Sequence, residues 1–286
     1  MPILEVFQSL WAMERRRPDG KEWSLDEKVE MIAEAGYDGI DVVHGDPNGK
    51  GIEKLLARFG LAATITAFPK SIGDLKPAIA QAKDFGVRHL NIIGQVFPFT
   101  VAEGAHFVNG WLDLCERADM PVTIETHRDC LTTDMLYTLQ LMEAVPQMRL
   151  CADLSHFVVG REFSWPISDT VHNQIQSVLD RADAFQGRVA SREQVQIQIS
   201  FPHHRDWFEL FQLWWRRGFI SWRGRASPTD RLNFLCELGP KEYAITGADG
   251  YELSDRWQEA LAIKERVRAI WSELDAEGDG ARATRP

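Results

Sequence analysis

The chain has 286 residues, 44% of them hydrophobic, and a formal charge of −10. That length suits one domain with a large core, and a (β/α)8 barrel commonly needs about 250 residues. The acidic balance excludes a general polyanion binder, because phosphate-backbone affinity comes from clustered Lys and Arg, so no nucleic-acid partner is expected. Cys115, Cys130, Cys151 and Cys236 are widely spaced and form no CxxC pair, which fits a reducing compartment. The start, Met1-Pro2-Ile3-Leu4-Glu5, lacks a basic segment leading into an apolar one, and no run approaches the ~20 apolar residues of a membrane span. A soluble, cytoplasmic protein without a membrane partner is expected.

In chain order, a strand is predicted near 3–8, followed by Arg15-Arg16-Arg17 and Pro18-Asp19-Gly20, which read as a solvated turn without function. Ser24 and Glu27 have capping-box spacing and start a helix. A repeat then sets in, in which a helical segment ends in Gly and a short apolar strand follows at once. Ala35-Gly36 leads into Gly39 to Val43, Phe59-Gly60 into Leu61 to Ile65, and Phe85-Gly86 into Val87 to Ile93. Gly ends a helix in the left-handed conformation at least steric cost, so each junction is a helix stop before a strand. Further strands are predicted near 61–66, 87–93, 121–126, 148–153, 185–190 and 232–237, making eight with the one at 39–43. This alternation predicts an α/β fold, a closed (β/α)8 TIM barrel in a single domain over 1–274. No glycine-rich dinucleotide or phosphate loop follows any strand, which removes the main argument for an open doubly wound sheet. Residues 193–231, with Trp207 to Trp222, form a long connection after strand seven that is expected to carry extra structure over the barrel mouth. Residues 275–286 are small and charged and read as a disordered tail.

Chemistry collects at three strand ends. Ile124-Glu125-Thr126-His127 closes strand five, Ala152-Asp153-Leu154-Ser155-His156 strand six, and Cys236-Glu237-Leu238-Gly239 strand eight. Barrel active sites are built at the C-terminal ends of strands. Each acid alone reads equally well as a helix cap or an arginine partner; three at one position type do not. If the three carboxylates converge in a low-dielectric mouth, a divalent cation resolves their repulsion. His156, just past Asp153, can exchange a proton near neutral pH. His127 shares the parity of Glu125 and either lines the pocket or holds a loop, and His44 stands after strand two as a contact candidate. His89, His106 and His172 read as structural. Most of the Trp residues fall at helical spacing and read as packing, but Trp11, Trp165 and Trp207 follow strands and are candidates for pocket walls.

Ile124-Glu125-Thr126-His127-Arg128, Asp153-Leu154-Ser155-His156, Phe185-Gln186-Gly187-Arg188-Val189 and Glu237-Leu238-Gly239-Pro240 together resemble the sugar phosphate isomerase/epimerase family of xylose-isomerase-like barrels. The resemblance implies metal ligands at Glu125, Asp153, residue 186 and Glu237, with His156 and Arg188 facing substrate. Residue 186 departs from it, since Gln stands where the family has His; the family's 3-dehydroshikimate dehydratase branch also uses Gln there. Gln186 makes the implied ligand set all oxygen, which suits Mn2+ or Mg2+ better than Zn2+. His203 or His204 is the alternative nitrogen ligand.

The expected activity is isomerisation or epimerisation of a sugar or polyol beside a carbonyl, through a metal-stabilised enediolate. Glu125 and Glu237 would move the proton, while His156, Arg188, His127, His44 and Trp165 meet the substrate. A dehydratase or lyase shares the first proton abstraction, with His156 or His127 as acid for the leaving group. A reading of another class is a non-catalytic sugar-binding or partner subunit, in which Gln186 marks lost metal affinity. A DNA-repair endonuclease would call for a His-rich zinc cluster and a basic face, and the predicted mouth has neither. A homo-oligomer is compatible with the sequence.

Overall fold

The computed structural model describes residues 1–16 and 19–283, with side chains through residue 277. Eight strands form a closed, all-parallel barrel in sequential order: β1 (Ile3–Ser9), β2 (Gly39–Val43), β3 (Ala62–Ala67), β4 (Leu90–Ile92), β5 (Val122–Glu125), β6 (Leu150–Ala152), β7 (Ala182–Gln186) and β8 (Arg231–Cys236). β8 pairs back to β1, which leaves no edge. The helices are α1 (Leu25–Glu34), α2 (Ile52–Phe59), α3 (Leu75–Phe85), α4 (Val101–Arg117), α5 (Met135–Ala144), α6 (Ser155–Gly160), α7 (Asp169–Leu179), α8 (Arg205–Arg223) and α9 (Arg256–Ala283). This is the predicted (β/α)8 barrel.

The local signals act as expected at the first helices. Ser24 Oγ accepts from Glu27 N at 3.2 Å while Glu27 Oε2 accepts from Ser24 N at 2.7 Å, closing the capping box of α1. Gly60 and Gly86 end α2 and α3 at φ of 67° and 59°, where a Cβ would be strained.

Three readings need correction. Strand seven runs from 182 to 186, not 185 to 190, because Ala182-Asp183-Ala184 pairs with β6 and β8 although it carries a charge and little apolar bulk. Asp183 meets Arg225 at 2.9 Å and Arg149 at 3.6 Å, which lets a charged residue stand in the strand. Gln186 therefore closes the strand, and Arg188 lies beyond it. The Trp-rich stretch does not cover the mouth. It forms α8, which packs on α7, α9 and β7 and buries Trp214, Trp215 and Trp222. The arginine run is not a free solvated turn: Arg15 pairs with Glu242, and Arg16 pairs with Asp255 while lying over the rings of Trp23 and Trp257. Arg17 and Pro18 lie outside the described residues. Within the expected tail, α9 continues to Ala283, and 284–286 lie outside the described residues.

Apolar side chains of the strands and helices make one continuous core. The barrel lumen is different. Asp41, Thr64, Thr66, Asn91, Thr123 and Glu125 are all buried there. Parallel register sets Asp41 beside Thr64, Thr66 beside Asn91, and Asn91 beside Thr123, so a polar ladder crosses four neighbouring strands.

Asp41 shows what this lumen costs. Burial pushes its carboxyl from the ordinary 3.8 up to about 7, opposed by the Thr64 and Thr66 hydroxyls that donate to it at 2.7 and 3.1 Å. The folded protein then holds a proton that the unfolded chain releases above about pH 4, so this contribution is full at low pH and is lost as pH rises toward 7. Asp41→Asn is expected to flatten that part of the stability curve, removing a slope of at most about 1.4 kcal/mol per pH unit. Urea unfolding of both proteins from pH 4.5 to 8 checks this, and parallel curves would move the effect to another group.

Candidate metal and acid–base site

Glu125 is the last residue of β5, and Asp153 and Glu237 directly follow β6 and β8. The three meet as predicted: each offers a carboxylate oxygen, and these oxygens lie within 4.8 Å of one another. Gln186 at the end of β7 joins them, its Nε2 donating to Glu125 Oε2 at 2.6 Å. Asp153 also caps α6, accepting from Ser155 N at 3.0 Å and from Ser155 Oγ at 2.5 Å. That turn brings His156 back, with Nε2 at 3.4 Å from Asp153 Oδ2.

Arg188 goes further than the sequence suggests. It is 1% exposed, and its guanidinium bridges the acids on either side of β7, with Nε 3.2 Å from Asp153 Oδ2 and Nη2 2.6 Å from Glu237 Oε2. Neighbouring strands carry the three groups, so strand order alone produces the bridge. Its Nη1 is buried and has no hydrogen-bond partner among the described residues.

One guanidinium does not balance three carboxylates. Burial raises Glu125 well above the usual carboxylate range, and the charges of Glu237 and Asp153 push the same way. Burial also raises Glu237, although Arg188 opposes it. Asp153 feels the same burial, but His156 and Arg188 hold it low. Glu125 Oε1 and Gln186 Oε1 are buried oxygens with no partner among the described residues. An oxygen-only donor set, short of positive charge and with unpartnered buried oxygens, fits a hard divalent ion held by Glu125, Asp153, Gln186 and Glu237.

The histidines divide as follows. The rings of His127 and His156 stand 4.0 Å apart between centroids, and with Glu125 they make a second group whose ligand atoms fall within 4.8 Å. His127 Nδ1 donates to Arg128 O at 2.5 Å, which leaves Nε2 as the bare nitrogen. Burial, then the neighbouring His156, lowers His127 to about 3, so His127 is neutral at pH 7; burial also lowers His156, opposed by Asp153 beside it. Neither nitrogen of His156 has a hydrogen-bond partner among the described residues. His44 turns to α3 instead, its Nδ1 lying 2.6 Å from Gln81 Oε1. His204 is tied to Gln198 O at 2.8 Å, His203 is exposed, and neither belongs to a ligand group among the described residues. His89 is held neutral by burial, and His172 accepts from Trp214 Nε1, as structural histidines do.

Two features escaped the sequence. Asn91 donates to Glu125 Oε2 from β4, visible beforehand only as a lone amide in an apolar strand. Tyr243, in the loop after β8, lies 4.8 Å from the Arg188 guanidinium and 5.1 Å from that of Arg128, with Trp11 edge-on at 5.4 Å. Gln196 holds the base of that loop by paired bonds to Gly239 at 2.7 and 3.0 Å. Trp165 is half exposed and packs edge-on against Trp207 at 5.3 Å, so these two predicted wall residues stand together.

No protein-family model and no curated protein matches the chain. Solved structures do. A xylose isomerase-like TIM barrel protein from Mycobacterium smegmatis, in complex with magnesium, superposes with TM-score 0.60 at 14% identity, over 93% of this chain and 97% of that one. A sugar phosphate isomerase/epimerase from Parabacteroides distasonis gives 0.59 at 9% identity, over 91% and 94%. The probable 3-DHS dehydratase AsbF of petrobactin synthesis from Bacillus anthracis gives 0.55 at 15%, over 91% and 97%. By topology and by these likenesses, the chain has the xylose isomerase-like TIM-barrel fold.

Proposed function

We propose that this protein is a divalent-metal-dependent enzyme that moves a proton beside the carbonyl of a small polyhydroxylated substrate, as sugar isomerases and epimerases do. The observation that carries this reading is the buried meeting of Glu125, Asp153 and Glu237 with unpartnered oxygens on Glu125 and Gln186. Mg2+ or Mn2+ is the ion such oxygens suit, and when bound it supplies Lewis-acid stabilisation of negative charge growing on the substrate.

The chain's own groups then take distinct parts. Glu237 is 9% exposed where Glu125 and Asp153 are 0%, so Glu237 is the carboxylate a substrate carbon can reach and serves as base. Glu125, with Oε2 held by Gln186 and Asn91, stays in place as a ligand. Arg188 Nη1 and His156 Nδ1 are positioned to hold substrate oxygens, and the bare Nε2 of His127 can accept from a hydroxyl. Tyr243 lies over the Arg188 guanidinium at the edge of this space.

A second reading, dehydration, is favoured by the sealing of Glu125. With a single reachable carboxylate, base attack from two opposite faces loses one partner, whereas removal of a proton followed by loss of a β-hydroxyl needs only one base. The fold likeness to the probable 3-DHS dehydratase is consistent with this. Incubation with Mn2+ and hydroxy-carbonyl candidates in D2O separates the readings. Deuterium uptake at carbon with the skeleton retained supports isomerisation, and new enone absorbance supports dehydration. A protein that takes up neither Mn2+ nor Mg2+ in calorimetry would refute both and leave the non-catalytic reading.

Gln186→His places a nitrogen donor on β7 among the acids. Expected is a shift of preference from Mn2+ or Mg2+ toward Co2+ or Zn2+ by about tenfold or more, as ligand softness dictates. Chelator-stripped wild type and variant, titrated in parallel with the four ions, check this; superimposable profiles would remove Gln186 from the ligand set.

A further inference from the structure

Resting on the metal-dependent reading above, we infer that Asn91 is a positioning residue that divides the labour of the two Glu125 oxygens, locking Oε2 and presenting Oε1 to the ion.

The polar ladder sets the orientation of the Asn91 amide. Thr66 Oγ1 spends its hydrogen on Asp41, at 3.1 Å from each carboxylate oxygen, and so faces Asn91 as an acceptor. Asn91 Nδ2 donates to it at 3.4 Å. On the other edge of the amide, the Thr123 hydroxyl donates to Oδ1 at 3.1 Å. A flip would turn Oδ1 onto the Glu125 carboxylate and onto Thr66 Oγ1, so the amide is set this way round, with the second Nδ2 hydrogen aimed at Glu125 Oε2. Gln186 Nε2 donates to that same oxygen from the opposite strand side. Oε2 thus accepts two N–H donors, while Oε1, equally buried, has none among the described residues. Asn91 is 2% exposed and Thr123 3%, so water does not substitute for either bond. Asn91 reaches the reacting centre only through Glu125, which makes it a positioning residue.

The test is Mn2+ affinity by titration of chelator-stripped protein, with crystal structures of the wild type and Asn91→Ala. Asn91→Ala should weaken Mn2+ binding about 10- to 100-fold, the usual cost of losing a partner that orients a ligand. Its crystal structure should show the Glu125 carboxylate rotated off Gln186. Thr123→Val, which removes only the hydroxyl that donates to Asn91 Oδ1 and leaves that oxygen buried without a donor, should weaken Mn2+ binding in the same direction, and Thr123→Ser should restore it; this pair keeps the inference testable if Asn91→Ala folds poorly. Unchanged affinity in both Asn91→Ala and Thr123→Val overturns the inference while sparing the functional reading. Failure of the wild type to bind either Mn2+ or Mg2+ overturns the functional reading, and the crystal structure then decides alone: a displaced Glu125 supports the positioning role and an unmoved one refutes it.

Discussion

Arg188→Met is expected to destabilise the metal-free protein by about 3–5 kcal/mol at pH 8, the usual cost of breaking a buried ion pair by removing one partner. Met keeps much of the length of the side chain, so the loss reports charge more than volume. Without the guanidinium, Asp153 and Glu237 face Glu125 with no cation, and their pKa values rise. A carboxylate whose folded pKa is raised destabilises as pH climbs past its unfolded value, so the deficit should be larger at pH 8 than at pH 5. If the proposed site takes Mg2+, saturating ion should restore part of it, because a ligand held only by the folded state stabilises that state. Arg188→Lys, which keeps the charge but loses the planar fork, should fall between the two. Urea unfolding of the three proteins at both pH values, with and without Mg2+, measures all of this. A deficit under about 1 kcal/mol that ignores pH and Mg2+ would show that Arg188 contributes only packing, since exposed or redundant pairs contribute about that little.

Trp215→Ala is expected to cost about 3–5 kcal/mol, the range for truncating a buried aromatic. Trp215 is fully buried on α8 and stands edge-on to Phe234 of β8 at 5.3 Å, with Phe211 at 6.0 Å and Phe208 at 6.3 Å. Phe219, one turn on, is edge-on to Phe185 of β7 at 5.4 Å. These rings fasten the helix to the two strands that carry Gln186 and lead into Glu237. Trp215→Phe should recover more than half of the loss, since it leaves a smaller cavity. Equal stability of Trp215→Ala and wild type in urea would contradict the packing described for α8.

What could be read from the sequence was what depends on neighbours along the chain. The helix stops at Gly60 and Gly86, the capping box at Ser24 and the acids after β5, β6 and β8 all follow from local pattern, and in a sequentially ordered parallel barrel local order is nearly the whole topology. What escaped depends on neighbours across the sheet. Arg188 reads as a substrate-facing residue, and its bridge between Asp153 and Glu237 shows only once β6 and β8 are known to flank β7. Asn91 reads as an odd amide until register sets it between Thr66 and Thr123. His44 looked equivalent to the other strand-end histidines, yet its ring turns outward to Gln81. Strand seven slipped because Asp183 broke the apolar run that otherwise marks a strand.

The Tyr243 loop carries a consequence for timing. Glu125, Asp153, Gln186, His156 and Arg188 are at most 1% exposed, and Glu237, at 9%, is the least enclosed of the group. Tyr243 lies over the Arg188 guanidinium, and the loop it belongs to is fastened at Gly239 by Gln196. If substrate has to pass Tyr243, its arrival and escape follow the clock of a moving loop, microseconds or slower, rather than that of encounter in solution.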